Sequence, residues 1–440
     1  MSAGIIAQTT VVVAVVLVIG WLGRLLARLL RQPTVMGELA AGLLAVPILL
    51  AATNRHVLDV LLPAKVVSNL GILGNAGLAL FLVGVAHELR GSLIGTRISS
   101  LGWVTAGALI PPLASGVVVA GWLLTEHDPT LRGNAPVAAF ILVLAVSLAI
   151  TAVPVLARIL ADRKLTTSLP GRLSLSAAAV VDAVAWPLLA VAIGLASGQL
   201  SSAGVASLTL LAGAGLSIGV RRVLRTEAAG RFVDQYPVVV AVLIGIAAIA
   251  SANLVSTLGL SPVFGAFLVG LAVPGNKPPA KQTDLSVEER PVGWRLPVHW
   301  VTRLGLVFVP VFFVATGLEV FAKPFPGIPW LAIGVVTALA MLGKLGGGYA
   351  GTRLAGYSRI TSVRVGALLN TRGLTEIVAL QAGFHAGILT ASMFLVCLVM
   401  TLVTTCATGP LMTWTNLGSP GLAMAGPGRT ATAGSGRRRP

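Results

Sequence analysis

From Gln235 to Gly275 the chain carries no charged residue, and the run is too long for a single bilayer crossing. Charge-poor apolar stretches of this kind recur along almost the whole sequence, and that recurrence limits the possible folds more than any motif does. Each crossing takes roughly 20 apolar residues, and in lipid every backbone N–H and C=O must find an internal partner. Of the 440 residues, 56% are hydrophobic and 10% charged. A soluble protein carries about 25% charged residues, so this chain lacks the charge to coat a water-facing surface. Disordered, collagenous and coiled-coil chains need polar or periodic compositions that are absent here. The expected fold class is an all-α polytopic membrane protein with a dozen or so crossings.

Thirteen candidate spans follow from the spacing of charges: Gly4–Gly23, Val35–Leu50, Val66–Ala86, Ile98–Leu124, Ala135–Ala157, Leu173–Gly198, Ala203–Val220, Pro237–Leu254, Val255–Gly275, Trp300–Val320, Ile328–Thr352, Val365–His385 and Leu389–Met412. The cut before Val255 rests only on the turn-like Ser256–Gly259. Of the 31 lysines and arginines, Arg55, Lys65, Arg132 and Lys323 fall in alternate loops. Lys344 and Arg372 lie within spans, and the other 25 occupy the opposite set of loops and the tail. Such a split predicts the N-terminus outside and the C-terminus in the cytoplasm, and the expected location is the plasma (inner) membrane. The formal charge of +17 therefore reads as a topology signal; the lipid bilayer is the expected partner and nucleic acid is not. Arg24, Arg28 and Arg31 follow the first apolar run instead of preceding it, which predicts a retained helix and not a signal peptide.

Two spans contain helix-breaking residues at membrane depth. One is the run Ser147-Leu-Ala-Ile-Thr151-Ala-Val-Pro154, and the other is Asn370-Thr371-Arg372-Gly373. Unwound backbone is tolerated in a bilayer only where it is buried or lines a water-filled site, and paired broken helices in corresponding halves point to a transporter's substrate site. The two lie seven spans apart, so they run in opposite directions. The predicted organisation is a transmembrane domain over 1–415 with inverted halves of about 1–198 and 237–415 and a linker helix at 203–220. A tail at 416–440, rich in Gly, Ser, Ala and Pro, is expected to be disordered and cytoplasmic.

Asp182 has nine uncharged, mostly apolar residues before it in its span, Leu173 to Val181, about two and a half turns, which is too deep for a short side chain to reach water. An ionisable residue at that depth is costly and points to function, and a carboxylate that exchanges protons suits the position. Arg372 and Glu376, four residues apart, suit an ion pair on one helical face, with functional and structural roles both open. Lys344, in Gly343-Lys-Leu-Gly-Gly-Gly348, has two routes: snorkelling inward or reaching the bundle core. Glu38 fits an inner funnel or a loop-end acid beside basic residues, and His385 fits a capping or interfacial position. Cys397 and Cys406 are too few for a disulfide framework or a four-ligand metal site. No nucleotide-binding, metalloprotease or clustered Cys/His motif occurs, so neither an enzyme activity nor a cofactor is expected, and no metal beyond a transported monovalent cation.

The runs Ile150-Thr-Ala-Val-Pro-Val-Leu-Ala-Arg-Ile-Leu160 and Gly171-Arg-Leu-Ser-Leu-Ser-Ala-Ala-Ala-Val-Val-Asp-Ala-Val-Ala-Trp186 resemble the monovalent cation:proton antiporter-2 family. Phe81–Gly84, Gly265–Gly270, Pro310–Leu318, Asn370–Leu374 and Thr405–Pro410 extend the resemblance over nearly the whole transmembrane region. It implies a Na+/H+ antiporter-like fold with inverted repeats and two crossed broken helices. It also implies a homodimer, Asp182 as the ion- and proton-binding acid, and Thr151 as a cation ligand. Asn370 and Thr371 would support the site, with Pro154 and Gly373 marking the breaks. The chain departs from the family in having Val181 where an acidic or amide residue usually precedes the essential aspartate, and Gly84-Val-Ala-His-Glu88 where Gly-Leu-Glu-Leu-Asp is common. With so short a tail, the cytosolic nucleotide-binding domain that many members carry is not expected. The expected function is electroneutral exchange of Na+ or K+ for protons. Proton-coupled export of a small organic cation or metabolite and a degenerate, non-transporting membrane subunit are the alternatives.

Overall fold

The computed structural model describes residues 3–30, 32, 34–52, 60–88, 98–126, 128–166, 168–196, 200–257, 262–275, 293–321 and 327–415. The expected disordered tail, the turn at 258–259, Arg55, Lys323 and Pro33 lie outside them. The described residues are helical, in agreement with the sequence. The first helices are α1 (Ala3–Leu29), α2 (Thr34–Ala52), α3 (Ala64–Glu88), α4 (Ile98–Glu126) and the single turn α5 (Pro129–Arg132). Next come α6 (Val137–Ala149), α7 (Val153–Asp162), α8 (Leu169–Leu195), α9 (Leu200–Leu224), α10 (Glu227–Gln235), α11 (Pro237–Thr257) and α12 (Pro262–Ala272). The last five are α13 (Arg295–Phe321), α14 (Trp330–Leu354), α15 (Arg359–Leu369), α16 (Leu374–His385) and α17 (Ala391–Trp414).

Among the described residues, nine helical segments are long and apolar enough to cross a membrane. The other four expected spans differ for physical reasons. The second contributes only the shorter apolar stretch Met36–Leu50, the seventh, α9, is not among the nine, and the twelfth divides into α15 and α16. The ninth is corrected at its start: Val255 belongs to α11, which runs on to Thr257, and α12 has 11 residues, about 16 Å of helix.

Side-chain oxygens end several helices locally. Ser168 accepts from the Gly171 N–H at the start of α8, Ser358 from Thr361 at α15 and Thr390 from Met393 at α17, each supplying a partner for an otherwise orphaned donor. Between helices, glycines set the separation. A Cβ on Gly107 of α4 would stand 2.3 Å from the Gly347 carbonyl oxygen of α14, and one on Gly351 would stand 2.4 Å from that of Trp103. Only small residues allow backbones this close. The approach of α4 to α14 carries Lys344, one residue after Gly343, into the middle of the bundle.

Candidate functional site

Helix α6 stops at Ala149 because Pro154 has no N–H to offer the Ile150 carbonyl. Residues 150–152 are non-helical, with Ile150 at φ −59°, ψ 142° and Ala152 at φ −72°, ψ 93°. Pro154 itself was expected within the break. It sits instead at the second position of α7, where a missing N–H costs nothing because the first turn has no acceptor for it. The second break, 371–373, separates α15 from α16 and ends at Gly373 with φ +148°, a conformation L side chains rarely adopt. A Cβ there would also stand 2.8 Å from Val155 Cγ2.

The two breaks meet. The Ala152 N–H donates to the Thr371 carbonyl at 3.1 Å, and the Thr151 hydroxyl donates to the Leu369 carbonyl at 3.3 Å. The end of α6 leaves its last carbonyls without helical donors, and two cationic side chains cover them. Arg372 donates from Nη1 to Ser147 O at 2.7 Å and from Nη2 to Leu148 O at 2.6 Å. Lys344 Nζ donates to Ala149 O, to Ala108 O at 3.0 Å and to Thr151 Oγ1 at 2.7 Å. Cations suit this position because a helix C-terminus carries partial negative charge.

Arg372 Nη1 also meets Glu376 Oε1 at 3.0 Å, with both side chains fully buried. The expected ion pair therefore forms, although not along one helical face: Arg372 is in the unwound segment and Glu376 in the first turn of α16, so the pair bridges the break. Lys344 reaches the bundle core; snorkelling is corrected by its three acceptors and its complete burial. It feels the charges of Asp182, Arg372 and Glu376. These four buried groups, two acids and two bases, form a formally neutral quartet.

Asp182 lies on α8, fully buried beside Val181, and neither carboxylate oxygen receives a hydrogen bond. Helix α8 packs against both α6 and α15, so the acid shares the core with both breaks. Several buried oxygens nearby also have no donor: Ser147 Oγ, Asn370 Oδ1, Thr371 Oγ1, Thr375 Oγ1 and Glu376 Oε2. Asn370 Nδ2 is tied to Thr404 O at 2.8 Å, and the Arg372 N–H to Thr405 Oγ1 at 2.9 Å. Oxygen-only acceptors suit hard monovalent cations and protons and do not suit soft metals. Sequence reasoning passed over Thr375, Thr404 and Thr405; for the last two, the cluster of hydroxyls at Thr401, Thr404, Thr405 and Thr408 in the last apolar helix was the available signal.

The remaining candidates lie away from this centre. Glu38 pairs with Arg24 Nε at 2.9 Å, which favours the loop-end acid over the funnel. His385 Nε2 meets Glu319 Oε2 at 2.6 Å at half exposure, and Cys397 and Cys406 are free thiols.

The chain is similar to several proteins over this same region. It matches the family model described as sodium/hydrogen exchanger, transmembrane, over residues 13–415. It is 32% identical to Cation/H(+) antiporter 18 of Arabidopsis thaliana, over 92% of this chain and 48% of that protein. Similarity to Na(+)/H(+) antiporter NhaS4 of Synechocystis is 29%, covering 89% of this chain and 92% of the relative. K(+)/H(+) antiporter 1 of Saccharomyces cerevisiae is 27% identical, over 87% of this chain and 43% of its own. The chain spans about half the length of the Arabidopsis and yeast relatives. In fold it matches the sodium proton antiporter MjNhaP1 of Methanocaldococcus jannaschii, with a TM-score of 0.59 at 16% identity, over 94% of this chain and 98% of that one. With crossed broken helices, a buried aspartate and the family model matched over residues 13–415, the chain belongs to the transmembrane sodium/hydrogen exchanger family.

Proposed function

We propose that this membrane protein exchanges a monovalent cation, Na+ or K+, for protons, with Asp182 holding one or the other. The observation that carries this is the carboxylate itself: fully buried, without a hydrogen-bond donor on either oxygen, in a helix packed against both breaks. An ionised carboxylate left so is costly to bury, so it binds a proton or a cation before the core moves. The relatives named as Na(+)/H(+) and K(+)/H(+) antiporters support both cation types.

Thr151, Asn370 and Thr371 are the proposed neutral ligands around Asp182. The Thr151 hydroxyl already accepts the Lys344 ammonium, a resident monovalent cation, so a transported ion reaches it only when that amine shifts. Arg372 and Glu376 hold the crossing together. If Lys344 and Arg372 keep their protons through the cycle, only Asp182 changes occupancy, and the exchange is one proton for one cation. The charge distribution supports an N-terminus outside and a cytoplasmic C-terminus, with thirteen crossings and a linker helix at 203–220 between inverted halves, and the plasma membrane is the proposed location. The apolar outer face of α1, including Val11, Val15, Val18, Leu22 and Leu26, all half exposed or more, supports a homodimer.

The test is fluorescence dequenching in everted vesicles, adding Na+, K+, Li+ and a small organic cation in turn. Wild type is expected to release the proton gradient with Na+ or K+, and Asp182→Asn to abolish the response while the protein remains folded. Exchange by Asp182→Asn at the wild-type rate, or a response to the organic cation alone, would overturn the proposal.

A further inference from the structure

Beside the half of α16 that leads away from the breaks lies a cavity of about 50 Å³, room for a few waters or an ion keeping part of its shell. Gln381 and His385, one turn apart on α16, line one side. Asn75 of α3, Phe312 of α13 and Pro262 at the start of α12 line the other. Gln381 is only 6% exposed, and its Oε1 has no hydrogen-bond donor. Burying an amide oxygen without a donor carries the full desolvation penalty, and nothing in the packing of α16 requires a polar side chain there. At the far end, Glu319 of α13 meets His385 across the gap between helices, setting a carboxylate at the mouth. Among the described residues lining the cavity, His385 is the only titratable one.

The elements that line the cavity lead on towards the buried acids. Gln381 is five residues beyond Glu376, about 7.5 Å along α16. Pro262 leads into Phe264 and Phe267, whose rings pack against Trp186 at centroid distances of 5.9 and 6.0 Å, and Trp186 is one turn beyond Asp182. A neutral oxygen with no donor, an amide across from it and an anion at the entrance favour a cation over an anion or an apolar ligand.

We propose that this cavity is an antechamber for the transported monovalent cation. Gln381 Oε1 replaces part of the ion's water shell on its way to Asp182, Asn75 faces it from α3, and the Glu319 carboxylate draws the ion to the mouth. The proposal rests on the antiport function above and adds a residue that sets apparent cation affinity from one side only, the side where α16 ends at His385.

The test uses the full chain in proteoliposomes of sorted orientation, with Na+ and K+ titrated from each side. Gln381→Leu is expected to raise the half-saturating cation concentration about tenfold, the value of one ion–oxygen contact, from the His385 side only, with the maximal rate little changed. Gln381→Glu is expected to lower it from that side. Glu319→Gln is expected to raise it by a smaller factor, one that shrinks when impermeant salt screens the mouth. Wild type in the same vesicles separates the two ideas: no exchange with either ion sinks the antiport function itself. With wild-type exchange intact, equal half-saturation in Gln381→Leu, an effect from both sides, or a fall in maximal rate alone would overturn the antechamber.

Discussion

At the first break, 150–152, the exposed end of α6 is covered by charge: Arg372 takes the carbonyls of Ser147 and Leu148, and Lys344 takes that of Ala149. At the second, 371–373, the partners other than the Arg372–Glu376 pair are neutral. Thr404 and Thr405 of α17 hold Asn370 and the Arg372 N–H, while Asn370 Oδ1, Thr371 Oγ1, Thr375 Oγ1 and Glu376 Oε2 stay without donors. The two breaks therefore do different work although they touch. The first is a fixed joint whose negative end is neutralised by the protein's own cations. The second keeps spare oxygens, which an ion that has shed part of its water can use. On the proposed function, a transported cation would compete with Lys344 at the first break and would meet no resident cation on the spare oxygens of the second.

The comparison breaks most directly at Arg372. Arg372→Ala uncovers two carbonyls and leaves Glu376 a buried, unpaired acid, a change expected to cost about 3–5 kcal/mol of stability. Arg372→Lys is expected to recover only part of this, since an ammonium cannot fork across both carbonyls as a planar guanidinium does. Thermal unfolding in detergent measures both. A midpoint for Arg372→Ala equal to that of wild type would mean that the first joint is not held by charge.

Gly373 comes next. Its φ of +148° and the 2.8 Å approach to Val155 make Gly373→Ala a strained substitution, expected to cost about 1–3 kcal/mol. Because Val155 lies on α7, the strain passes to the first joint, and exchange should slow along with the loss of stability. A stable but fully active Gly373→Ala protein would show that the second break adjusts without disturbing the first.

A matched pair of threonines sharpens the contrast. Thr151→Val removes the bond to Leu369 and one acceptor of Lys344, and is expected to cost about 1 kcal/mol. Thr371→Val removes a buried hydroxyl oxygen that has no donor, so its stability should stay level or rise slightly. Its cation half-saturation should nevertheless increase. Equal destabilisation of the two variants would erase the distinction between a fixed joint and a set of spare ligands.

Local chemistry told much of this in advance. Pro154, Gly373 and their hydroxyl neighbours disturb a helix wherever they stand, so both breaks could be found in the sequence. Asp182 was conspicuous because a charge inside an apolar run is costly in any fold. The destination of Lys344 was different: it depends on Gly107 and Gly347, 240 residues apart in the sequence, letting two helices touch. The carbonyl partners of Arg372 lie 224 and 225 residues away, and no local pattern encodes them. Pro154 shows the limit of local reading, since it causes the break without lying in it. Gln381, uncharged in a long apolar run, carried no signal beyond its place one turn before His385.

The smallest expected effect is none at all, and it concerns movement of charge. If Lys344 and Arg372 stay protonated on their carbonyls through the cycle, Asp182 alone trades one proton for one cation, and the loaded core carries the same charge in both directions. A membrane potential is worth about 2.3 kcal/mol per charge per 100 mV. One uncompensated charge would therefore bias exchange by roughly 50-fold at that potential, an effect no flux assay would miss. Proteoliposomes with the pH gradient held at zero should show the same exchange rate with and without an imposed potential. Acceleration would mean that a second proton travels, and the neutral quartet offers two sources for it. Release from Lys344 requires the ammonium to leave Thr151 and Ala149, so Lys344→Arg, which keeps the charge but does not give up its proton, would restore indifference to the potential. Release from Glu376 would open the pair with Arg372, and Glu376→Gln would be the variant that restores it. Whichever substitution removes the voltage dependence identifies the break that moves.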